Sequence, residues 1–119
     1  MFVGVDIESI SRFENKTLEN DKHFLERIFT PNELDYSFQS KQSAKHLAAR
    51  FCAKEAVYKA LSNLITDGTI EFKNIEIINN ENGSPYVKLH DERFNVNIAL
   101  SLSHDKDKAI AFVVVTTKC

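Results

Sequence analysis

Three groups of polar residues in this sequence have types and spacings suited to chemistry. They are Asp6 with Glu8, Lys54 and Glu55 with Lys59, and Ser101 and Ser103 with His104. Mg²⁺ prefers hard oxygen ligands and is commonly held by one or two carboxylates together with substrate phosphates. The lysines, and Arg50 on the same segment, would suit the phosphates of such a substrate. Together the three groups favour magnesium-assisted chemistry on a phosphate-bearing molecule.

Each group taken singly also has an ordinary structural explanation. Asp6 fits an aspartate that closes a strand and caps the next helix, and Glu55 with Lys59 fits a standard i,i+4 helix pair. His104 fits a histidine at a strand end. Glu55 is the strongest indication of function, because it lies in a mostly apolar segment. Burying a carboxylate is costly unless a cation, a metal ion or hydrogen bonds compensate its charge.

Composition and motifs argue against several classes of protein. The formal net charge of −2 gives no support for nucleic-acid binding, which needs a basic excess. No apolar run approaches the ~18 residues of a membrane span, and the start MFVGVDIES lacks the basic and apolar regions of a signal peptide. Two cysteines, Cys52 and Cys119, make neither a disulfide framework nor a zinc site. We therefore expect a cytoplasmic protein with no membrane or nucleic-acid partner.

The sequence also lacks the familiar nucleotide-binding and acyl-transfer motifs. It has no GxxxxGK[ST] loop and no GxGxxG, which argues against the standard nucleotide folds. Its serines, histidines and aspartates show no spacing that argues for acyl-enzyme chemistry.

The first two chemical groups are expected on a strand and a long helix. Phe2–Ile7 is a short apolar, β-branched run that predicts a strand, and Glu8 shares a side with Asp6 if that strand continues. Ala44–Leu64 has no Gly or Pro and is rich in strong helix formers. Most of its positions are apolar or small, so it predicts a central helix that is buried on more than one side.

Two further helical segments are predicted between that strand and the central helix. Ser9–Phe29 is predicted to be helical in two pieces, with a break or cap at Asn20–Asp21. Thr30–Glu33 has the capping-box pattern with a proline at the first helical position, and it predicts a short helix to about Phe38.

The second half of the sequence predicts strands joined by hairpin-length connections. An Asn82-Gly83 turn separates two of them, and the last tight loop runs from His104 to Lys108. The predicted strands lie at 70–78, which could hold one strand or two, and at 86–90, 96–103 and 109–115. This order predicts a single α+β domain over residues 1–119, with an antiparallel sheet packed against one long central helix.

Five motifs in this sequence resemble those of the 4′-phosphopantetheinyl transferases. Phe51-x-x-Lys54-Glu55-Ala56-x-x-Lys59-Ala60 resembles their signature helix, and Gly4-Val5-Asp6 resembles their other signature. Arg12 stands six residues after the aspartate, as in the short class, the holo-[acyl-carrier-protein] synthases. The other three motifs agree in order and spacing: Glu26-Arg27-x-x-Thr30-x-x-Glu33, Asn82-Gly83-x-Pro85 and Ser101-x-Ser103-His104. The resemblance covers nearly the whole chain.

The resemblance implies a fold, a reaction and an assembly. The fold would be that of the 4′-phosphopantetheinyl transferases. The reaction would transfer 4′-phosphopantetheine from coenzyme A (CoA) to a serine of apo acyl carrier protein and release adenosine 3′,5′-bisphosphate. The assembly would be a homotrimer with its active site between subunits. Which carrier protein is served, that of fatty-acid synthesis or another, stays open.

The resemblance also implies roles for individual residues. Asp6 and Glu55 would hold Mg²⁺, which bridges to the pyrophosphate of CoA, and Glu55, directly or through a metal-bound water, is the candidate base. Lys59 would stabilise the phosphates. The implied CoA contacts are Arg50, Lys54, Lys59, Pro85 and His104. Arg12 and Lys16 are the best candidates for the acidic carrier surface, since a basic patch should steer an acidic partner.

This sequence departs from the short class at several positions. Ser9 stands where that class usually carries an acid, and Glu8 instead gives the Asp-x-Glu pattern of the longer class, whose second acid also binds metal. Glu8 is therefore a candidate third ligand. Ser62–Leu64 replaces the usual Gly-Thr-Gly after the helix, and the first helical segment is less basic. Two alternatives stay open: a catalytically weak module that binds CoA or a carrier, and a purely structural oligomer.

Overall fold

A computed structural model describes residues 1–118 of the protein, so the tail thiol of Cys119 lies outside the described residues. The fold is α+β, as predicted. Its helices and strands are β1 Phe2–Ser9, α1 Lys22–Ile28, α2 Pro31–Phe38, α3 Ser43–Leu61, β2 Ile75–Asn79, β3 Pro85–Leu89, β4 Val96–Asp105 and β5 Lys108–Thr117. Short 3-10 helices lie at Ile10–Phe13 and Phe72–Asn74. Within residues 1–118, no helix has both the length and the apolarity to cross a membrane.

The long helix α3 is the central element, as its composition predicts. It is buried on several sides and contacts strands of both halves of the fold. It ends at Leu61, three residues before the predicted end. The Ser62 hydroxyl donates to the Lys59 carbonyl at 2.7 Å, and the Asn63 amide donates to the Ala60 carbonyl at 3.3 Å. These polar side chains satisfy carbonyls that a longer helix would bond, and so they favour the stop.

The predicted antiparallel sheet packs against α3 as a three-stranded sheet in the order β1-β5-β4. β2 and β3 form a second, two-stranded antiparallel sheet around the predicted Asn-Gly turn. The alternation predicted for β4 is confirmed: its apolar residues point inward and its polar residues and Ala99 lie outward. The three-stranded sheet therefore has one face on the core and one face exposed.

The core consists of two apolar clusters, and α3 contributes to both. One cluster lies between α3 and the strands, and it includes Cys52, Ala56, Ala60, Ile75 and Val113. The other lies between α3 and the N-terminal helices, and it includes Phe13, Leu25, Phe29, Leu47 and Phe51. Burying such side chains is the main term that stabilises a domain of this size.

Strand β1 lies unusually close to α3 at Gly4. A Cβ atom built on Gly4 would lie 1.9 Å from the carbonyl oxygen of Ala56 and 3.1 Å from the amide nitrogen of Ala60. Only glycine permits this approach, because any side chain there would overlap the helix backbone. The contact brings the inward face of β1 directly onto α3.

The helical prediction for Ser9–Phe29 is only partly correct. Its second piece forms α1, but its first piece is a single 3-10 turn followed by turns. β1 extends through Ser9, whose hydroxyl accepts from the Lys108 ammonium at 2.6 Å. Farther on, the Asp21 carboxylate accepts from the Thr17 amide at 2.9 Å. Such side-chain bonds to the backbone compete with helix formation.

The capping box that begins α2 is confirmed. The Thr30 hydroxyl accepts from the Glu33 amide at 3.2 Å, and the Glu33 carboxylate accepts from the Thr30 amide at 2.8 Å. The same hydroxyl donates to Glu76 on β2 at 2.7 Å, so the cap also attaches α2 to the second sheet.

Candidate active site

Asp6 and Glu8 project from β1 toward α3, because the strand continues to Ser9 and its side chains alternate between two faces. Glu55 faces them from α3, where it is half-buried. Its burial, together with the negative charges of Asp6 and Glu8, raises the pKa of Glu55 above its ordinary value, and Lys59 and Arg12 oppose this rise. The negative charges of two carboxylates on the strand therefore act on the carboxylate on the helix.

Lys59 compensates part of this negative charge through its contact with Asp6. Its ammonium donates to the Asp6 carboxylate at 2.9 Å and to the Val5 carbonyl at 3.0 Å. The hydrogen bond to Asp6 raises the pKa of Lys59, so the ammonium stays charged. Lys59 thus reaches across to β1, instead of forming the simple i,i+4 pair with Glu55 that its spacing also allowed.

One oxygen of Asp6 is well suited to a hard cation. Asp6 Oδ2 is buried, and within residues 1–118 no donor lies at hydrogen-bonding distance from it. A buried carboxylate oxygen without a partner is costly, so a ligand that fills this position is favoured. No group of three or more His, Cys, Asp or Glu residues in that part of the chain has the arrangement of a metal site. The donors fit Mg²⁺, which keeps several water or phosphate ligands beside one or two carboxylates.

Glu8 is compensated within the chain. Its carboxylate accepts from Arg12 at 3.1 Å, and the Arg12 guanidinium also stacks over the Phe51 ring at 4.6 Å. The proposed third metal ligand is therefore paired with an arginine in this structure. Lys16, the other predicted carrier contact, is partly exposed and lies 3.9 Å from the Asp21 carboxylate. Both basic residues lie between β1 and α1 in the sequence, but only Arg12 contacts one of the site carboxylates.

A groove of about 220 Å³ lies beside α3 and between the two sheets. Three of the predicted CoA contacts, Arg50, Pro85 and His104, line it together although they are far apart in sequence. Other residues that line the groove were not predicted, among them Tyr36, Lys45, His46 and Asn79. His46 was detectable in principle, because it precedes Arg50 by four residues and so shares its helix face.

Arg50 is held in place inside this groove. Its guanidinium donates to the Asn79 side chain and stacks 4.2 Å from the Tyr36 ring centre. Burial lowers the pKa of Arg50 from a very high starting value, which still leaves an arginine charged at neutral pH. Burial and the neighbouring Arg50 and Lys45 charges lower the pKa of His46. The groove wall is thus basic and aromatic, which suits a phosphorylated ligand with a planar ring.

The structure does not support the predicted contact between Lys54 and CoA. Lys54 has no exposed surface, and its ammonium lies 2.8 Å from the Glu33 carboxylate. It also donates to the Phe72 and Ile75 carbonyls at 2.8 and 2.6 Å. All three donors of the ammonium are therefore used inside the protein, and none is left for a ligand. In the sequence, Glu33 belonged to a helix cap and to one of the family motifs, and neither signal pairs it with Lys54.

Cys52 lies at the same strand–helix contact but offers no nucleophile. Its thiol contacts the Asp6 carbonyl at 3.1 Å and the Ala109 carbonyl at 3.5 Å. Burial, with the nearby Asp6 charge, raises the pKa of Cys52 to about 12, so the thiol stays protonated at neutral pH. Cys52 is therefore a core thiol.

Known proteins match both the sequence and the fold. The family model of the 4′-phosphopantetheinyl transferase superfamily matches residues 2–113. A holo-[acyl-carrier-protein] synthase of Thermodesulfovibrio yellowstonii is 45% identical over 114 residues, which cover 96% of each chain. The Chronobacterium ammoniagenes ACPS–CoA complex is 29% identical, with a TM-score of 0.79 and 99% and 98% of the two chains covered.

A second solved structure agrees. The holo-(acyl-carrier-protein) synthase from Bacillus anthracis, in complex with CoA (3′,5′-ADP), is 31% identical, with a TM-score of 0.78 over 98% of this chain and 96% of that one. A family match over most of the chain, a close relative and a shared fold all agree with the signature helix that carries Glu55 and Lys59. The chain therefore belongs to the 4′-phosphopantetheinyl transferase superfamily, with holo-[acyl-carrier-protein] synthases as its relatives.

Proposed function

We propose that this chain is a Mg²⁺-dependent enzyme that transfers 4′-phosphopantetheine from CoA to a serine of an apo acyl carrier protein. The observation that carries the proposal is the meeting of Asp6, Glu55 and Lys59 between β1 and α3, with Asp6 Oδ2 buried and unpartnered within residues 1–118. The membership of the superfamily and the CoA complexes of two related structures support the choice of substrate.

Asp6 and Glu55 are the residues that would hold Mg²⁺. When bound, the ion would supply positive charge to the pyrophosphate of CoA as the leaving phosphate becomes more negative. Glu8 stays a candidate third ligand, and to take that role it would have to exchange its bond with Arg12. A metal that rests on one or two carboxylates leaves its remaining positions to water and to substrate phosphates.

The chain's own residues have distinct roles in the transfer. The hydroxyl of the carrier serine gives its proton to the Glu55 carboxylate, and its oxygen forms a bond to the phosphorus that carries pantetheine. The bond from that phosphorus to the bridging oxygen breaks, and adenosine 3′,5′-bisphosphate leaves. The raised pKa of Glu55 belongs to the metal-free chain, and a bound Mg²⁺ would lower it and keep the carboxylate charged. The Lys59 ammonium lies beside Asp6 and stabilises the negative charge of the phosphates.

The groove beside α3 is the proposed site for the rest of CoA. Arg50 and His104 offer positive or hydrogen-bonding groups, and Pro85 offers an apolar wall. Asn79 and Tyr36 hold the Arg50 side chain in place before any ligand binds. Binding therefore costs little of the conformational entropy of this side chain. On the carrier side, we assign Arg12, a basic residue beside Glu8, and Lys16, a partly exposed basic residue farther along the same segment.

The outer face of the three-stranded sheet is the proposed surface for self-association into a homotrimer. It exposes a run of large apolar side chains from β1 and β5: Val3, Val5, Ile7, Ile110 and Phe112. Val5 pairs with Phe112 and Ile7 with Ile110 across the two strands, so the patch is continuous. A continuous exposed apolar patch is typical of an interface between proteins. Because the patch lies on the back of the strand that carries Asp6, a neighbouring copy would lie close to the active site.

Mass spectrometry of the carrier tests the reaction. The protein is incubated with CoA, Mg²⁺ and apo carrier protein, and we expect the carrier to gain the mass of one phosphopantetheine. We expect Asp6→Asn and Glu55→Gln to lower the rate by about 10²-fold or more, since each removes a charged group at the reacting centre. Both variants should keep the urea midpoint of the unchanged chain. Glu92→Gln, at an exposed position, is the matched control. No gain of mass with the unchanged chain, while calorimetry still detects CoA binding, would instead indicate a binding module.

Light scattering after size-exclusion chromatography tests the assembly. We expect a trimer mass for the unchanged chain, and a monomer mass for Phe112→Lys, which places a charge in the patch. Asn20→Lys adds the same charge at an exposed position in the turn before α1, away from the sheet, and should leave the mass unchanged. A monomeric unchanged chain would overturn the assignment of this face.

A further inference from the structure

We propose that the buried Glu33–Lys54 ion pair is a positioning device for the active site. It fixes α3 against α2 and β2, so that Glu55 and the groove residues keep their relative places. The inference rests on the proposed function, because it concerns residues that serve the same site. Neither residue of the pair touches the groove, and both side chains have no exposed surface.

Every polar atom of the pair has a partner in the protein. The Lys54 ammonium contacts Glu33 Oε1 at 2.8 Å and donates to the Phe72 and Ile75 carbonyls. Glu33 Oε1 also accepts from the Thr30 amide, and Glu33 Oε2 accepts from the Ile77 amide at 2.9 Å. The pair therefore joins four elements, which are α2, α3, the 3-10 helix at Phe72–Asn74, and β2.

A pair of this kind does more for geometry than for net stability. Desolvation of two buried charges offsets most of their attraction, and well-packed apolar residues of similar volume can hold a core equally well. Apolar packing is non-directional, whereas these hydrogen bonds fix both the rotation of α3 about its axis and its position along that axis. This chain retains both charges and satisfies each of their donors and acceptors, which favours a role in orientation.

The position of the pair on α3 relates it to the site. Lys54 precedes Glu55, and successive residues of a helix point about 100° apart, so the anchor and the base face different elements. One turn earlier, Arg50 shares the face of Lys54 and donates to Asn79 at the end of β2. β2 is thus attached to α3 at two points, and its hairpin partner β3 begins at Pro85 of the groove. Rotating α3 would move Glu55 relative to β1 and the groove at once.

A double-mutant comparison tests the proposal. Each single variant, Glu33→Leu or Lys54→Met, leaves one buried charge unpaired and should lower the melting temperature strongly. The double variant Glu33→Leu/Lys54→Met removes both charges and should recover part of that loss, but it leaves the Thr30 and Ile77 amides and the Phe72 and Ile75 carbonyls without these partners. We expect it nevertheless to show a KM for CoA raised, or a kcat lowered, by about tenfold or more, because small misplacements at a reacting centre are costly. Val57→Ala, a buried cavity variant of α3, is the control for lost stability alone.

Two outcomes overturn the proposal. A double variant with unchanged kcat, unchanged KM and unchanged Mg²⁺ requirement would show that the pair only stabilises the fold. Hydrogen exchange gives a readout that does not depend on activity: the amides at 75, 76, 78 and 79 should exchange faster in the double variant than in Val57→Ala. Ile77 is left out because the variant removes its acceptor, Glu33. The two variants are compared at temperatures equally far below their melting temperatures. Equal exchange in the two would also refute the proposal. If the unchanged chain fails to modify any carrier, the proposed function fails and hydrogen exchange still decides the role of the pair. If the double variant does not fold, Glu33→Gln takes its place in both measurements, because it removes the negative charge and keeps a side-chain oxygen that can accept from Lys54.

Discussion

Replacing Gly4 with alanine would place a methyl group 1.9 Å from the carbonyl oxygen of Ala56, at the contact that brings β1 onto α3. Ordinary van der Waals contact begins at 3.4 Å, so strand and helix must separate locally by about 1.5 Å. The neighbouring atoms belong to helix backbone and cannot turn aside as a flexible side chain would. We expect a loss of about 1–3 kcal/mol in the free energy of unfolding, which is the usual effect of overpacking.

The larger effect should fall on activity. Asp6 lies two residues beyond Gly4 on the same face of β1, so a displaced strand carries its carboxylate away from Glu55 on α3. A misplacement of about 1 Å can lower a rate by about 10²-fold. We therefore expect Gly4→Ala to lower carrier modification by that order and to raise the Mg²⁺ concentration needed for half-maximal rate. Urea unfolding and the mass-spectrometric rate assay, run at several Mg²⁺ concentrations, measure the two effects separately.

Gly68→Ala provides a matched control for this experiment. Gly68 has a φ of +72°, so alanine there is strained by about 1 kcal/mol, while the nearest side-chain atom lies 3.8 Å away and nothing must move. This variant should lose stability yet keep its rate and its Mg²⁺ requirement. If Gly4→Ala kept its rate within twofold of the unchanged chain, the link from the glycine contact to the carboxylates would be refuted.

Three further predictions concern other side chains of the site and the core. Glu8→Gln should raise the Mg²⁺ requirement if Glu8 leaves Arg12 to bind the metal, and an unchanged requirement in the rate assay would exclude that role. In a Cys119→Ser chain, Cys52 should resist a thiol reagent such as DTNB at pH 8 until urea is added, because burial raises its pKa to about 12; rapid labelling of the folded chain would contradict this. Burial alone would raise the pKa of Glu76, but hydrogen bonds from Thr30, His90 and Asn32 outweigh it and lower the pKa below its ordinary value of 4.5. Stability from the charged form is therefore present above that value and lost as the pH falls through the folded-state pKa, so the urea midpoints of the unchanged chain and Glu76→Gln should converge below about pH 4.5 and differ at pH 7. A difference that persists at low pH would refute that linkage.

Much of the fold could be predicted because its signals are local. The α2 cap depends on hydrogen bonds within four residues, and the alternation of β4 follows from the two-residue period of a strand. The first part of Ser9–Phe29 could not be predicted in this way. There, pairing of Ser9 with Lys108, ninety-nine residues away in sequence, overrides local helical propensity.

The candidate site, too, could be predicted only in part from the sequence. Residue types and spacing identified Asp6, Glu55 and Lys59, and the structure brings all three together; their catalytic and metal-binding roles stay predictions. Lys54 shows the limit of that approach. In the sequence, Lys54 beside Glu55 is typical of a phosphate ligand. Only the packing of the chain shows that its ammonium turns inward to Glu33.

The sequence by itself determined most of the helices and strands, the family signatures and the residues able to bind metal and phosphate, because these depend on near neighbours along the chain. Tertiary structure alone decided which charge meets which. It directed Lys59 to Asp6 and Lys54 to Glu33, and it gathered Arg50, Pro85 and His104 into one groove. These pairings depend on distances between elements, and those distances are set by close contacts such as that of Gly4 with Ala56, which have no counterpart in local propensity.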